Sequence, residues 1–128
     1  MITTGTKGKK SVLVVPENTA EAVGSGLLPV FSTPALIALM EGCCAESVAG
    51  SLPEGDCTVG ISLDVKHTSA TPVSLTVTAE SELVAVDGRR LTFKVTAYDD
   101  AGEVGHGTHE RFIVTADRFM NKANAKLS

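Results

Sequence analysis

The sequence predicts an α+β fold in which a curved antiparallel sheet wraps around one long central helix, and three observations carry that expectation. The stretch "STPALIALMEGCCAESVAG", residues 32–50, has an apolar interior between helix start and stop signals. From Cys57 onward apolar and polar residues alternate with period two, broken by turn pairs. The helix stands ahead of the strands as a block, which is the order of an α+β domain rather than of parallel βαβ units.

Taken in order, residues 1–8 read as a flexible, basic N-terminus, 9–116 as a single domain, and 117–128 as a polar C-terminal tail. "KSVLVV" is a short apolar strand, and "PENTAEAVGSGLLP" a mixed loop or short helical segment. The long helix can be capped by Ser32 or Thr33. Pro34 suits its start, where a missing N–H costs nothing, and Gly50 suits its end. Leu36, Ile37, Ala38, Leu39 and Met40 are consecutive and cover the whole circumference at about 100° per residue, so more than one surface must bury this helix. The curved sheet supplies one cover and a second subunit would complete it.

In the next strand Val59, Ile61, Leu63 and Val65 alternate with Thr58, Gly60, Ser62 and Asp64, which assigns the first set and His67 to the inner face. Thr71-Pro72 ends that strand. "VSLTVTAESELVAV" and "RRLTFKVTAYD" flank a hairpin signal at Asp87-Gly88, and "DDAG" turns the chain into "EVGHGTHERFIVTA", so the strands should form an antiparallel meander.

With 128 residues, 43% of them hydrophobic, one core can form. A net charge of −4, no Trp and 4% aromatics argue against nucleic-acid binding, and the basic groups at 7–10 and 118–126 read as solubilising ends. No apolar run reaches the roughly 18 residues of a membrane span, and no apolar signal segment follows the polar start, so a cytoplasmic protein with no membrane association is expected. Of the three cysteines, Cys43 and Cys44 are adjacent and cannot bridge without distorting a helix; all three are expected as reduced thiols.

Chemistry concentrates in a few side chains. Glu41 interrupts the apolar helix, and its neighbours at three and four positions, Ile37, Ala38, Cys44 and Ala45, offer no partner. Either the helix turns Glu41 to solvent, or the carboxylate has a partner or a role, because an unpaired buried carboxylate costs several kcal/mol. His67 points inward, as a core residue or as a general base beside that carboxylate. Thr33 adds a hydroxyl at a helix start whose free N–H groups favour an oxyanion. His106 and His109 are separated by an odd number, fall on opposite strand faces and cannot chelate one ion together, so no metal site is expected. There is no phosphate-binding glycine loop, no G-x-S-x-G elbow and no CxxC pair.

"LLPVFSTPALIALMEGCC", "TVGISLDVKHTSATP" and "GTHERFIV" together resemble the fluoroacetyl-CoA thioesterase family of hotdog-fold acyl-CoA hydrolases, over roughly residues 9–116. The resemblance implies a hotdog fold with subunits paired edge to edge, as a homodimer or dimer of dimers. It also implies hydrolysis of a short or medium acyl-CoA without a metal or redox cofactor, coenzyme A entering only as part of the substrate. The catalytic set it implies is Thr33, Glu41 and His67, with Glu41 orienting and charge-balancing the other two or activating water. Gly60 would lie near the thioester carbonyl, and Arg111 would help hold the substrate. The loop from Glu17 to Pro29 would form part of the acyl pocket or its lid. Two other functions fit a hotdog groove: non-catalytic binding of acyl-CoA or a small ligand, and hydration or dehydration of an acyl-CoA.

Overall fold

The computed structural model describes residues 2–128. In chain order the elements are β1 (Lys7–Leu13), a 3-10 turn (Pro16–Asn18), α1 (Ala20–Val23), α2 (Thr33–Ala49), β2 (Asp56–His67), β3 (Thr76–Asp87), β4 (Arg90–Asp99), β5 (Gly102–Thr115) and α3 (Ala116–Asn124). The five strands form one antiparallel sheet in the order β1-β3-β4-β5-β2, and α2 lies across its inner face, the arrangement of a hotdog fold.

Helix α2 begins where the cap chemistry dictates. Ser32 is the N-cap and its Oγ accepts from the Ala35 N–H at 3.1 Å, while Gly50 closes the far end. Leu36, Leu39, Met40, Cys43, Cys44 and Val48 are buried against Val77, Ala79, Leu83, Leu91, Phe93 and Val95 of the sheet. Removing these side chains from water, at about 25 cal/mol per Å² of apolar area, is the main force holding helix to sheet. The helix is not covered all round: Thr33, Ala38 and Ala49 are exposed, and Ile37, Glu41 and Ala45 are half-buried.

Several expectations are corrected. Only β3, β4 and β5 form a meander; β2 lies at the far edge beside β5, and β1 fills the place beside β3. Residues 5–8 are not loose: Gly5 N–H bonds to the Leu83 carbonyl, Leu83 N–H to Thr6, and Lys7 and Gly8 pair with Glu82 and Ser81. Their lysines suit an edge strand, where charge discourages further pairing. Residues 117–128 are largely helical rather than a plain tail. The β3–β4 turn is centred one residue later than expected, on Gly88-Arg89, with Gly88 at φ 60.

The correction that matters most for the site lies in β2. Its register against β5 slips between Gly60 and Ser62, leaving Ile61 as a bulge. Gly60 stands opposite Arg111, whereas after the bulge Leu63, Val65 and His67 stand opposite His109, Gly107 and Gly105. Cross-strand partners share a face, so the inner face carries Gly60 before the bulge and Leu63, Val65 and His67 after it. Val59 and Ile61, expected inside, are outside; Ile61 is 46% exposed.

Candidate active site

The start of α2 and the end of β2 bring Thr33 and His67 together, with Thr33 Oγ1 at 2.8 Å from His67 Nδ1. They line a cavity of about 290 Å³ with Ala20, Ser25, Val30 and Phe31, so the segment between Glu17 and Pro29 borders it as expected. Burial holds the His67 pKa below the usual imidazole value, which keeps the ring neutral and able to accept a proton at neutral pH. His67 Nε2 is buried and has no hydrogen-bond partner among the described residues. A buried polar atom without a partner costs free energy unless something arrives to satisfy it.

In the first turn of α2, Ser32 occupies the Ala35 N–H, Pro34 has none, and Leu36 N–H reaches the Ser32 carbonyl. The Thr33 N–H is therefore the donor left for an oxyanion, fewer than a bare helix start would offer.

Glu41 belongs to a second cluster. It lies two turns further along the same side of α2, about 12 Å along the axis at 1.5 Å per residue. Its side chain is 38% exposed, so the solvent-facing reading and the partnered reading both hold in part. The partner is Arg111, whose Nη1 is 3.7 Å from Glu41 Oε2. His67, expected beside Glu41, makes no hydrogen bond to it, because the helix separates positions 33 and 41 while β2 delivers His67 to the first.

Gly60 sits against the carboxylate. A Cβ built there would come within 2.5 Å of Glu41 Oε2 and 3.2 Å of His109 Cε1. Any larger residue would push the carboxylate away, which is the physical need for glycine at this position. Arg111 is only 7% exposed, and its guanidinium is engaged: Nε donates to Thr58 Oγ1 at 2.8 Å, Nη2 to the Thr58 carbonyl at 2.9 Å, and Nη1 to His109 Nε2 at 3.1 Å. These contacts, with Glu41, are what its guanidinium meets within the chain.

The sequence pairs His109 only with His106, as a metal ligand, whereas the structure sets it beside Arg111. The readable signal was His109-Glu110-Arg111, which puts a histidine and an arginine on one strand face. His106 is exposed and pairs with Glu103. Among the described residues no group of three or more His, Cys, Asp or Glu is placed to hold a metal. The three thiols are free, and burial, helped by the neighbouring Cys43, pushes Cys44 up to about 12, so it is no nucleophile.

Comparison with known proteins agrees with this architecture. A family model described as fluoroacetyl-CoA-specific thioesterase matches residues 14–117. A fluoroacetyl-CoA thioesterase of Streptantibioticus cattleyicolor is 42% identical over 97 residues, which are 76% of this chain and 70% of that protein. The solved structure of the fluoroacetyl-CoA thioesterase FlK superposes with a TM-score of 0.93 at 35% identity, covering 98% of both chains. A FlK variant in complex with fluoroacetate and CoA superposes with a TM-score of 0.88 at 35% identity, over 92% of this chain and 99% of that one. A hot-dog-like protein from Thermanaerovibrio acidaminovorans is 25% identical with a TM-score of 0.88, over 98% of this chain and 93% of that one.

Proposed function

The chain belongs to the fluoroacetyl-CoA-specific thioesterase family, and from that premise we propose that it hydrolyses a short acyl-CoA, fluoroacetyl-CoA among the candidates, with Thr33 and His67 as the reacting groups and Glu41 as the third member of the catalytic set. The observation that carries the assignment is the 2.8 Å contact between Thr33 Oγ1 and His67 Nδ1 at the mouth of a cavity large enough for a small acyl group.

The acyl group enters that cavity and the pantetheine arm runs along the open side of α2 past Glu41. A second cavity, of about 200 Å³ and lined by Ala45, Glu46, Ala49, Leu52, Asp56, Cys57 and Thr58, lies beyond Glu41 for it to follow. His67 takes the Thr33 proton as the hydroxyl oxygen attacks the thioester carbon, and the Thr33 N–H faces the developing oxyanion. The C–S bond breaks and CoA leaves as the thiol, reprotonated by His67. Water then attacks the acyl-Thr33 ester and gives its proton to His67, neutral again after the first step, while Glu41, open to solvent and held by Arg111, accepts from an amide N–H of the pantetheine arm and so orients the thioester at Thr33. Acid and free Thr33 result. Every step uses only these side chains, the substrate and water, so CoA enters as substrate and not as a resident cofactor.

Edge strand β2 and the uncovered side of α2 support pairing of two chains edge to edge, as a homodimer or a dimer of such dimers. An acyl-CoA substrate and free thiols agree with a cytoplasmic setting, and no helix among the described residues is long and apolar enough to cross a membrane.

The test is CoA release from a panel of acyl-CoAs by the unmodified protein and by His67→Ala, Thr33→Ala and Glu41→Ala. Unchanged turnover in all three variants defeats the site assignment. Tight binding without release by the unmodified protein would mean a non-catalytic binder, and hydration of an enoyl-CoA would mean a hydratase. Rapid-quench mass spectrometry should find the acyl group on the peptide containing Thr33; its absence at saturating substrate would move the attack to water directly.

A further inference from the structure

His109 is fully buried, yet both of its ring nitrogens are bonded. Nδ1 is 2.8 Å from the Ser62 carbonyl and Nε2 is 3.1 Å from Arg111 Nη1. These partners leave one protonation state. A carbonyl can only accept, so Nδ1 carries the proton; a guanidinium can only donate, so Nε2 must offer its lone pair. The ring is also stacked on Phe93 of β4, with centroids 6.4 Å apart. Ser62 is the residue immediately after the β2 bulge, so the ring ties the bulge to Arg111. Arg111 in turn donates its Nε–H and one Nη2–H to Thr58, and presents Nη1 to Glu41.

We propose that His109 is a positioning residue for thioester hydrolysis: its neutral, Nδ1-protonated ring fixes the Arg111 guanidinium against the bulged strand and thereby holds the Glu41 carboxylate beside Gly60. The inference rests on the reading of Glu41 as the group that orients the thioester at Thr33. The charged groups facing the ring are Arg111 on β5 and Glu41 on α2; β4 offers Phe93 and β2 a main-chain carbonyl. Protonating Nε2 would turn the acceptor into a donor aimed at a cation, breaking the link. Burial foremost, and Arg111 in addition, hold the ring below the usual imidazole pKa, in keeping with this neutral state.

The experiment has two arms. Nitrogen-15 spectra of the histidine-labelled full chain should assign His109 to the Nδ1–H tautomer at neutral pH; an Nε2–H tautomer or a protonated ring overturns the proposal. In kinetics, His109→Asn keeps a donor for Ser62 but cannot reach Arg111, and should lower kcat about tenfold, the worth of one hydrogen bond to a charged group, with KM little changed. His109→Gln places an acceptor near the Nε2 position and should recover most of that loss. In a Glu41→Gln background His109→Asn should cost nothing further, whereas full additivity overturns the proposal. If Glu41→Gln itself turns over normally, the reading of Glu41 fails and this inference falls with it. If Glu41→Gln is crippled while His109→Asn is not, only the inference falls. Should His109→Asn fold poorly, the Gln variant and the tautomer of the unmodified protein still decide.

Discussion

At the scale of single residues, the Thr33 and His67 pair was readable because each half follows a local rule. Thr33 stands at a helix start signalled by Ser32 and Pro34, and His67 shares the inner face with Leu63 and Val65. Glu41 was readable as an anomaly, but its partner was not, since Arg111 arrives from the last strand of the sheet. Replacing His67 or Thr33 by Ala should lower kcat by about 10²–10⁴-fold, the usual worth of a positioned proton acceptor or nucleophile, in a CoA-release assay. The pH profile follows from burial. The folded chain holds the His67 pKa below the ordinary 6.5, so the active neutral ring persists as pH falls past that value, and the acid limb of kcat/KM should lie below it. An acid limb above 6.5 would contradict this. Linkage gives stability the same sign: the unfolded chain takes up protons at His67 and His109 near 6.5 and the folded chain only lower. Stability is thus complete above 6.5 and declines as pH drops through the folded values, which urea denaturation at successive pH values would record. Gly60→Ala should displace the Glu41 carboxylate and cost about a hundredfold in kcat, since a shift of about 1 Å at a catalytic group has that effect.

At the scale of elements, α2 and the hairpin strands were legible because caps, period and turn residues act over short stretches. The bulge was not, because one extra residue leaves the alternation of types intact while reversing which set faces the helix. The N-terminal strand is hidden for a different reason: its lysines and glycine look like a solvated end. Gly8 is in fact where β1 passes α2, and a Cβ there would lie 2.7 Å from Ser81 Oγ, 2.8 Å from Ser47 Cβ and 2.9 Å from the Cys43 carbonyl. Gly8→Ala should therefore destabilise the fold by about 1–3 kcal/mol, as overpacking does, without altering KM in the surviving folded fraction. The urea midpoint measures it, and an unchanged midpoint would mean that β1 can move aside. Deleting Ile61 should straighten β2, turn Gly60 away from Glu41 and abolish turnover while leaving a folded sheet, as circular dichroism and CoA release would report together.

At the scale of the whole molecule, the fold class was legible from the order of elements, whereas the sheet order was not. Nothing local says that β2 should leave β3 and pair with β5, because that choice depends on β1 taking the edge beside β3. The resulting edge carries Leu63, 38% exposed, and Ile61, beside the uncovered side of α2. Sedimentation should find the unmodified chain as a dimer or a dimer of dimers, and Leu63→Asp combined with Ile61→Asp should shift it toward monomer; a monomeric unmodified chain would refute edge pairing. The bulge also supplies a rule for reading other sequences. Gly60 and His67 are an odd number of positions apart, yet they face the same way, which a regular strand forbids. Odd parity between such a glycine and histidine thus announces the extra residue before any coordinates exist. A relative in which the count is even has lost either the bulge or the shared face, and its active-site assignment should be doubted by arithmetic alone.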